Sequence, residues 1–229
     1  VPATAIEVSG KVRRPATGLV GTDFKFVKAL TKRTPKITMP APTQIYWFAG
    51  RQGISKTVYP DIDAFWDDAA RAWREEIAAL AVAGCTYVQI DETCLPKLSD
   101  PKMQATLAKR GDDWRALMET FTSVAAEIVR DPPPGMTVVL HHCRGNSRGH
   151  WQAEGSYEIV AENMFQRIPV AAHLLEYDSP RAGDFTPLRL VPSNKTIVLG
   201  LVSTKIRALE SADELKRRID EASRYVPLD

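Results

Sequence analysis

Thr137-Val138-Val139-Leu140-His141-His142-Cys143-Arg144-Gly145-Asn146 is a short apolar run that ends abruptly in two imidazoles and a thiol. Residues 137–140 read as a buried strand, and the glycine in the Arg-Gly-Asn turn closes it. The polar chemistry therefore sits at the carboxyl end of a strand, where parallel α/β proteins gather their sites. Side chains alternate along a strand, so His141 and Cys143 face the same way and can share one metal ion. The plainer structural reading has His141 hydrogen-bonded locally and Cys143 filling a small apolar gap.

Strands and helices alternate on either side of this stretch. Residues 5–12 alternate as a strand, 23–30 have helical spacing, and 36–39 begin an apolar strand that meets Pro40-Ala41-Pro42, with 43–48 following. Residues 63–83 form a strong helix, because Phe65, Trp66, Ala69, Trp73, Ile77 and Leu80 recur at helical spacing; Asp61 or Asp63 can cap it and Gly84 ends it. Tyr87-Val88-Gln89-Ile90 is a buried strand ending in Asp91-Glu92-Thr93, and 114–130 is a second long helix stopped by three prolines. Beyond the His-His-Cys strand come a helix over 157–166, a strand over 171–175 ending in Glu176-Tyr177-Asp178, a strand over 197–201, and a closing helix over 212–225.

Apolar strands alternating with amphipathic helices argue for parallel βα units. Polar residues gather just after the strands: Asp91 and Glu92, His141 and Cys143, Glu176 and Asp178, Ser203 and Lys205. That pattern suits an α/β fold of the (β/α)8 TIM barrel type, whose active site is built from several strand ends. A doubly wound sheet is the alternative, but the chain contains no Gly-x-Gly-x-x-Gly phosphate loop. With roughly six strands against the eight of a closed barrel, the expectation is one barrel domain over 1–229 that lacks an end, or both.

Composition narrows the classes. At 229 residues, with 44% hydrophobic and 25% charged residues, the chain can bury a sizeable core. A net charge of +2 with short, scattered basic runs gives nucleic-acid binding no support, and there is no apolar run of membrane-spanning length. The first residues, Val1-Pro2-Ala3-Thr4, show no secretory leader pattern. Three cysteines, Cys85, Cys94 and Cys143, make no disulfide framework and suit a reducing cytoplasm, the expected location. Cys85 reads as a small core residue, and Cys94 as packing more than site.

Taken together, Tyr87-Val88-Gln89-Ile90-Asp91-Glu92, His141-His142-Cys143-Arg144-Gly145-Asn146 and Leu175-Glu176-Tyr177-Asp178 resemble the catalytic zinc barrel of the cobalamin-independent methionine synthase family. The resemblance runs from near the start to about Tyr225. The Arg-Gly-Asn and Arg181-Ala182-Gly183-Asp184-Phe185 are more similar to the short single-barrel relatives, which include the epoxyalkane:coenzyme M transferases. In that family zinc is held by a His and a Cys on one strand, a Glu on the next and a Cys near the last strand. By motif the first three fall on His141, Cys143 and Glu176, and the fourth has no counterpart before Asp229. The family's Asp-x-His at the seventh strand is matched here by Ser203-Thr204-Lys205. Lys205 is a poor substitute for a proton-transferring His unless burial lowers its pKa greatly, but it suits an anionic substrate group.

The resemblance implies zinc-dependent transfer of a methyl or other alkyl group to a thiol, most simply from 5-methyltetrahydrofolate to homocysteine in methionine biosynthesis. Its partners are then a small-molecule thiol and a methyl donor. Asp91, Glu92 and Lys205 are the expected substrate contacts, with Asp91 and Lys205 in the catalytic role and Asp91 on the homocysteine amino group. Two thiolates and a carboxylate place a charge of about −3 around Zn²⁺, which favours transfer to sulfur over hydrolysis. Alternatives are alkyl transfer to another anionic thiol such as coenzyme M, a zinc hydrolase on the same barrel, and a catalytically silent barrel kept as an interaction module. Structural readings stand beside these roles: Asp91 and Glu92 can be salt-bridging or capping residues, and Asp178 can support Glu176. His142 and His173 read as hydrogen-bonded core histidines, His150 and Trp151 as loop residues near an entrance, and Trp66 and Trp73 as helix packing.

Overall fold

The computed structural model describes residues 6–228. Five strands, β1 (Ile37–Pro40), β2 (Tyr87–Asp91), β3 (Thr137–His142), β4 (Ala172–Glu176) and β5 (Thr196–Gly200), form one sheet in the order β1-β2-β3-β4-β5. β1 runs parallel to β2, with Ile37 opposite Val88 and Pro40 opposite Asp91. β4 runs parallel to β5, with Ala172 opposite Thr196 and Glu176 opposite Gly200. Strict sequence order with helical crossovers is barrel winding; a doubly wound sheet would reverse its order at a switch point. Contacts divide the chain into two compact units, Val1–Glu92 with Ser123–Val139 and Thr93–Thr122 with Leu140–Asp229.

In the first unit lie α1 (Gly21–Leu30), α2 (Thr43–Ala49) and α3 (Asp63–Val82). α3 forms for the expected reason: Phe65, Trp66, Ala69, Trp73, Ile77 and Leu80 are all buried on one stripe. Each large apolar side chain so covered contributes about 1.5–3 kcal/mol. Trp73 also donates its indole N–H to the Pro40 carbonyl at 2.8 Å, fixing the helix to the end of β1. Asp61 accepts the Asp63 amide at 3.0 Å, so the expected acidic residue does hold the helix start.

The strand expected over 5–12 is a correction. Ala5 lies outside the described residues, and among 6–12 only Val8 pairs, in an isolated bridge with Ile54. Alternation there finds no neighbouring strand to complete, so the described residues hold five strands where the sequence suggested six. The segment is held by side chains instead: the Val12 amide donates to the Tyr59 hydroxyl at 2.6 Å, and Arg14 donates to Glu76 at 2.7 Å.

Glu76 also closes a gap that α1 leaves open. The residue before α1, Val20, has no capping side chain. Glu76, reaching across from α3, accepts the Val20 amide at 2.9 Å and the Gly21 amide at 3.1 Å. A carboxylate on exposed helix amides is favourable both as an acceptor and against the helix dipole.

The second unit contains α4 (Cys94–Lys97), α5 (Pro101–Arg110), α7 (Ala161–Arg167) and α8 (Ala212–Ala222), while α6 (Trp114–Val129) and β3 have residues in both units. α5 starts at an Asp100 cap that accepts the Lys102 amide at 2.7 Å, with Pro101 in its first turn. α8 starts at Ser211, which accepts the Glu214 amide at 3.1 Å, and ends at Ala222, short of the expected 225. Cys85 and Cys94 are buried, as their apolar surroundings suggest. No helix among the described residues is long and apolar enough to cross a membrane.

The Glu76 clasp has a measurable acid signature. Burial alone would raise the Glu76 pKa, but the Val20 and Leu19 amides and Arg14 outweigh it and hold it below its ordinary value of 4.5. Its stabilising effect is therefore complete above about pH 4.5 and is lost as pH falls through the lower folded-state value. Glu76→Gln is expected to lower unfolding stability by about 3 kcal/mol at pH 7, with the gap to wild type closing below pH ~4. Urea denaturation across that pH range checks both.

Candidate active site

β3, β4 and β5 end side by side in sequence order, and their ends carry the candidate chemistry. His141 is the penultimate residue of β3 and Cys143 follows its end; Glu176 closes β4. Gly145, at φ +84°, turns the chain just after Cys143, a conformation that disfavours other residues. Opposite Glu176, Gly200 has no side chain, and a Cβ there would lie 2.8 Å from the Leu175 carbonyl oxygen. The glycine thus lets β5 run close against the strand that carries Glu176.

A cavity of about 330 Å³ is lined by His141, Cys143, Leu175, Glu176, Asp178 and Lys205, among others. The structure therefore brings together the three expected metal donors and the expected cation. A larger cavity of about 650 Å³, in the first unit, lies by the C-terminus of α6. There Arg74 donates to the Glu127 and Arg130 carbonyls at 3.0 and 2.9 Å, a helix-closing role. Its arginines and carboxylates are solvated surface groups, so the smaller cavity is the one with reactive side chains.

Glu176 is buried and heavily engaged. Its Oε2 accepts the Arg144 amide at 2.7 Å. Its Oε1 accepts from Arg181 at 2.8 Å and forms a close ion pair with Lys205. Asp178 accepts from the same Arg181 at 2.6 Å and from the Ser203 hydroxyl at 2.8 Å, with the Lys205 ammonium 3.7 Å from its other side. Two carboxylates and two cations thus share one enclosure, each side chain at most 8% exposed. Burial pushes the Asp178 pKa up, but the bonds from Arg181 and Ser203 and the nearby cations overcome it and leave it below the ordinary carboxylate range. For Cys143 burial wins: its thiol pKa is raised, with Glu176 adding to the rise and the Gly145 amide, Lys97 and Lys205 opposing it.

Two residues with no role in the sequence reading hold this arrangement. Tyr157, fully buried, donates its hydroxyl to the His142 carbonyl at 2.7 Å and accepts the Glu176 amide at 2.9 Å, bridging the ends of β3 and β4. Burial pushes its pKa up to about 12, so it stays a neutral donor. Arg144, also fully buried, donates to the carbonyls of Gly155 (2.7 Å), Glu176 (3.0 Å) and Ala182 (3.4 Å) and lies 4.1 Å over the Tyr157 ring. Sequence offered the Arg-Gly-Asn turn as the only hint of Arg144, and no local pattern for Tyr157.

The remaining candidates fall in place as follows. His142 and His173 are core residues, stacked with ring nitrogens 3.1 Å apart. Trp151 donates to Glu154 and has the Arg181 guanidinium 5.0 Å from its ring. Asp91 and Glu92 belong to the first unit. Asp91 accepts from Gln89 at 2.7 Å and Thr38 at 3.2 Å, and fully buried Glu92 accepts the Thr43 hydroxyl at the start of α2. Among the described residues no three His, Cys, Asp or Glu side chains are already grouped as a metal cage. The donor types lining the cavity, an imidazole, a thiol and a carboxylate, are nonetheless those zinc prefers, and Glu176 pairs with Arg181 and Lys205.

The family described as cobalamin-independent synthase, catalytic domain, matches residues 42–229. The chain belongs to that family. This synthase-family chain is 35% identical over 232 residues to the uncharacterized protein YxjH of Bacillus subtilis, a match covering 99% of the chain and 60% of that protein. It is 26% identical over 209 residues to a methionine synthase of Pyrococcus horikoshii, covering 91% and 52% respectively. A solved structure, the putative vitamin-B12 independent methionine synthase from Listeria monocytogenes, superposes with a TM-score of 0.76 at 27% identity, over 97% of this chain and 63% of that one. The chain spans about three-fifths of the length of its Bacillus relative.

In the synthase-family chain the Tyr157 bridge sets where Cys143 lies relative to Glu176. Tyr157→Phe should leave the Glu176 amide and one carbonyl lone pair buried without a partner, lowering stability by about 1–3 kcal/mol. Hydrogen exchange should show faster opening at the ends of β3 and β4 than elsewhere in the second unit. Uniform protection across the unit would contradict the bridging role.

Proposed function

We propose that this chain carries the thiol-alkylating site of a zinc-dependent, methionine-synthase-like S-methyltransferase, with homocysteine as acceptor and 5-methyltetrahydrofolate as donor in the cytoplasm. The observation that carries the reading is the single cavity lined by His141, Cys143, Glu176 and Lys205 at the ends of parallel strands. Family membership and the methionine synthase relatives support it.

His141, Cys143 and Glu176 would hold the metal. A zinc ion there would favour the thiolate form of an incoming thiol near neutral pH, since an unassisted thiol is mostly protonated. The chain's own residues do the rest. The Arg144 amide fixes one oxygen of Glu176, and Arg181 fixes the Glu176–Asp178 pair. Lys205 supplies an ammonium for the acid group of the substrate. The buried, cation-rich wall favours an acceptor that carries a negative group beside its thiol.

Zinc content and methyl transfer to homocysteine test this together, with coenzyme M as a competing acceptor. Cys143→Ser is expected to weaken zinc at least about 100-fold and to abolish transfer. A wild-type protein that binds no zinc, or a Cys143→Ser variant that holds it as tightly as wild type, would overturn the reading. Preference for coenzyme M would keep the site and change the acceptor.

A further inference from the structure

Glu176 Oε1 is bonded by Lys205 and Arg181, and Glu176 lines the cavity that His141 and Cys143 share. We propose that Lys205 is an exchangeable counter-ion: without metal its ammonium neutralises Glu176, and a divalent metal displaces it onto Asp178. This rests on the zinc reading and adds to it a role for Lys205 before any substrate arrives.

Three observations carry the exchange. Glu176 and Asp178 are both buried carboxylates, and Lys205 and Arg181 are the cations bonded to them, so the enclosure is neutral as it stands. A dication on Glu176 Oε1 would meet the Lys205 ammonium on the same oxygen, and two like charges in contact inside a buried site repel strongly. Of the two cations, Arg181 is held elsewhere as well, by the Ser179 hydroxyl at 2.6 Å and the Trp151 ring. Lys205 is the less anchored: it sits on irregular chain after β5, flanked by exposed Thr204 and Ile206.

The path is short. The Lys205 ammonium already lies 3.7 Å from Asp178 Oδ2, so a rotation of its flexible stem moves it from one carboxylate to the other. Ser203 keeps the receiving carboxylate in position at 2.8 Å, and its hydroxyl also accepts the Lys205 amide at 3.1 Å. The other Glu176 oxygen stays on the Arg144 amide throughout, so the carboxylate need not swing. Metal binding and the transfer of Lys205 from Glu176 to Asp178 are then one linked equilibrium. By reciprocity, an anion that captures Lys205 tightens the metal.

The test measures zinc affinity of the full chain by competition with a chromophoric chelator, alongside the thermal midpoint of metal-free and zinc-loaded protein. Lys205→Met removes the competitor, so zinc should bind about tenfold more tightly or better. The metal-free midpoint should fall while the zinc-loaded midpoint falls less. Lys205→Gln, which keeps a hydrogen bond to Glu176 without the charge, guards against a variant that does not fold and should show the same direction. Wild type that binds zinc, with both variants equal to it or weaker, overturns the exchange and leaves the zinc site standing. Absence of zinc binding in all three proteins overturns both.

Discussion

An ionised carboxylate out of water is the constraint on which the second unit is organised. Glu176 closes β4 with its side chain buried, and such a group persists only where donors replace its lost hydration. The replacements come from three directions: the Arg144 amide from the end of β3, Arg181 from the turn after β4, and Lys205 from the chain after β5. Each donor requires its own segment to be placed, so satisfying one side chain fixes the relative positions of three strand ends. Gly200 belongs to the same solution, since a side chain there would push β5 away from the Leu175 carbonyl. The charged enclosure is also why Asp178 stays ionised despite its burial.

Much of the framework was legible because its signals are local. The strands at 87–90, 137–140 and 197–200 are short, largely apolar runs, and α3 shows its stripe over 20 residues. Other signals were present but passed over. α5 begins at Asp100-Pro101 and ends at Gly111 in a left-handed conformation, the ordinary punctuation of a helix, yet its charged, weakly apolar face hid it. The segment 6–12 failed in the opposite way. Its alternation was real, but a strand is defined by a neighbour, and only Val8 has one. The helix expected from 157 begins at Ala161 because Tyr157 is committed, by its hydroxyl, to β3 and β4.

The site divides along the same line. His141, Cys143, Glu176 and Lys205 were readable because each follows an apolar strand, and strand ends in parallel sheets converge. The pairing of Lys205 with Glu176 was not, since the two are separated by a strand, two short 3-10 turns and irregular chain. Nor was the burial of Arg144. A guanidinium that bonds only backbone carbonyls and an aromatic face leaves no partner for a sequence pattern to find. His142 faces away from His141, as alternation along β3 requires, and His173, inside apolar β4, stacks against it.

Arg144 ties together pieces of chain that are variable in most proteins. Its three acceptors lie on the loop before α7, on the end of β4, and on the short 3-10 helix Pro180–Ala182, while its own carbonyl accepts the Gln152 and Ala153 amides. Loops usually drift independently in length and sequence, but these share one guanidinium and cannot. A chimera that transplants any one of them from a relative would inherit its specificity only if the incoming backbone returned a carbonyl to the same prong of the fork. The loops of this unit are therefore exchangeable as a set, and recombination between relatives should break outside residues 144–182.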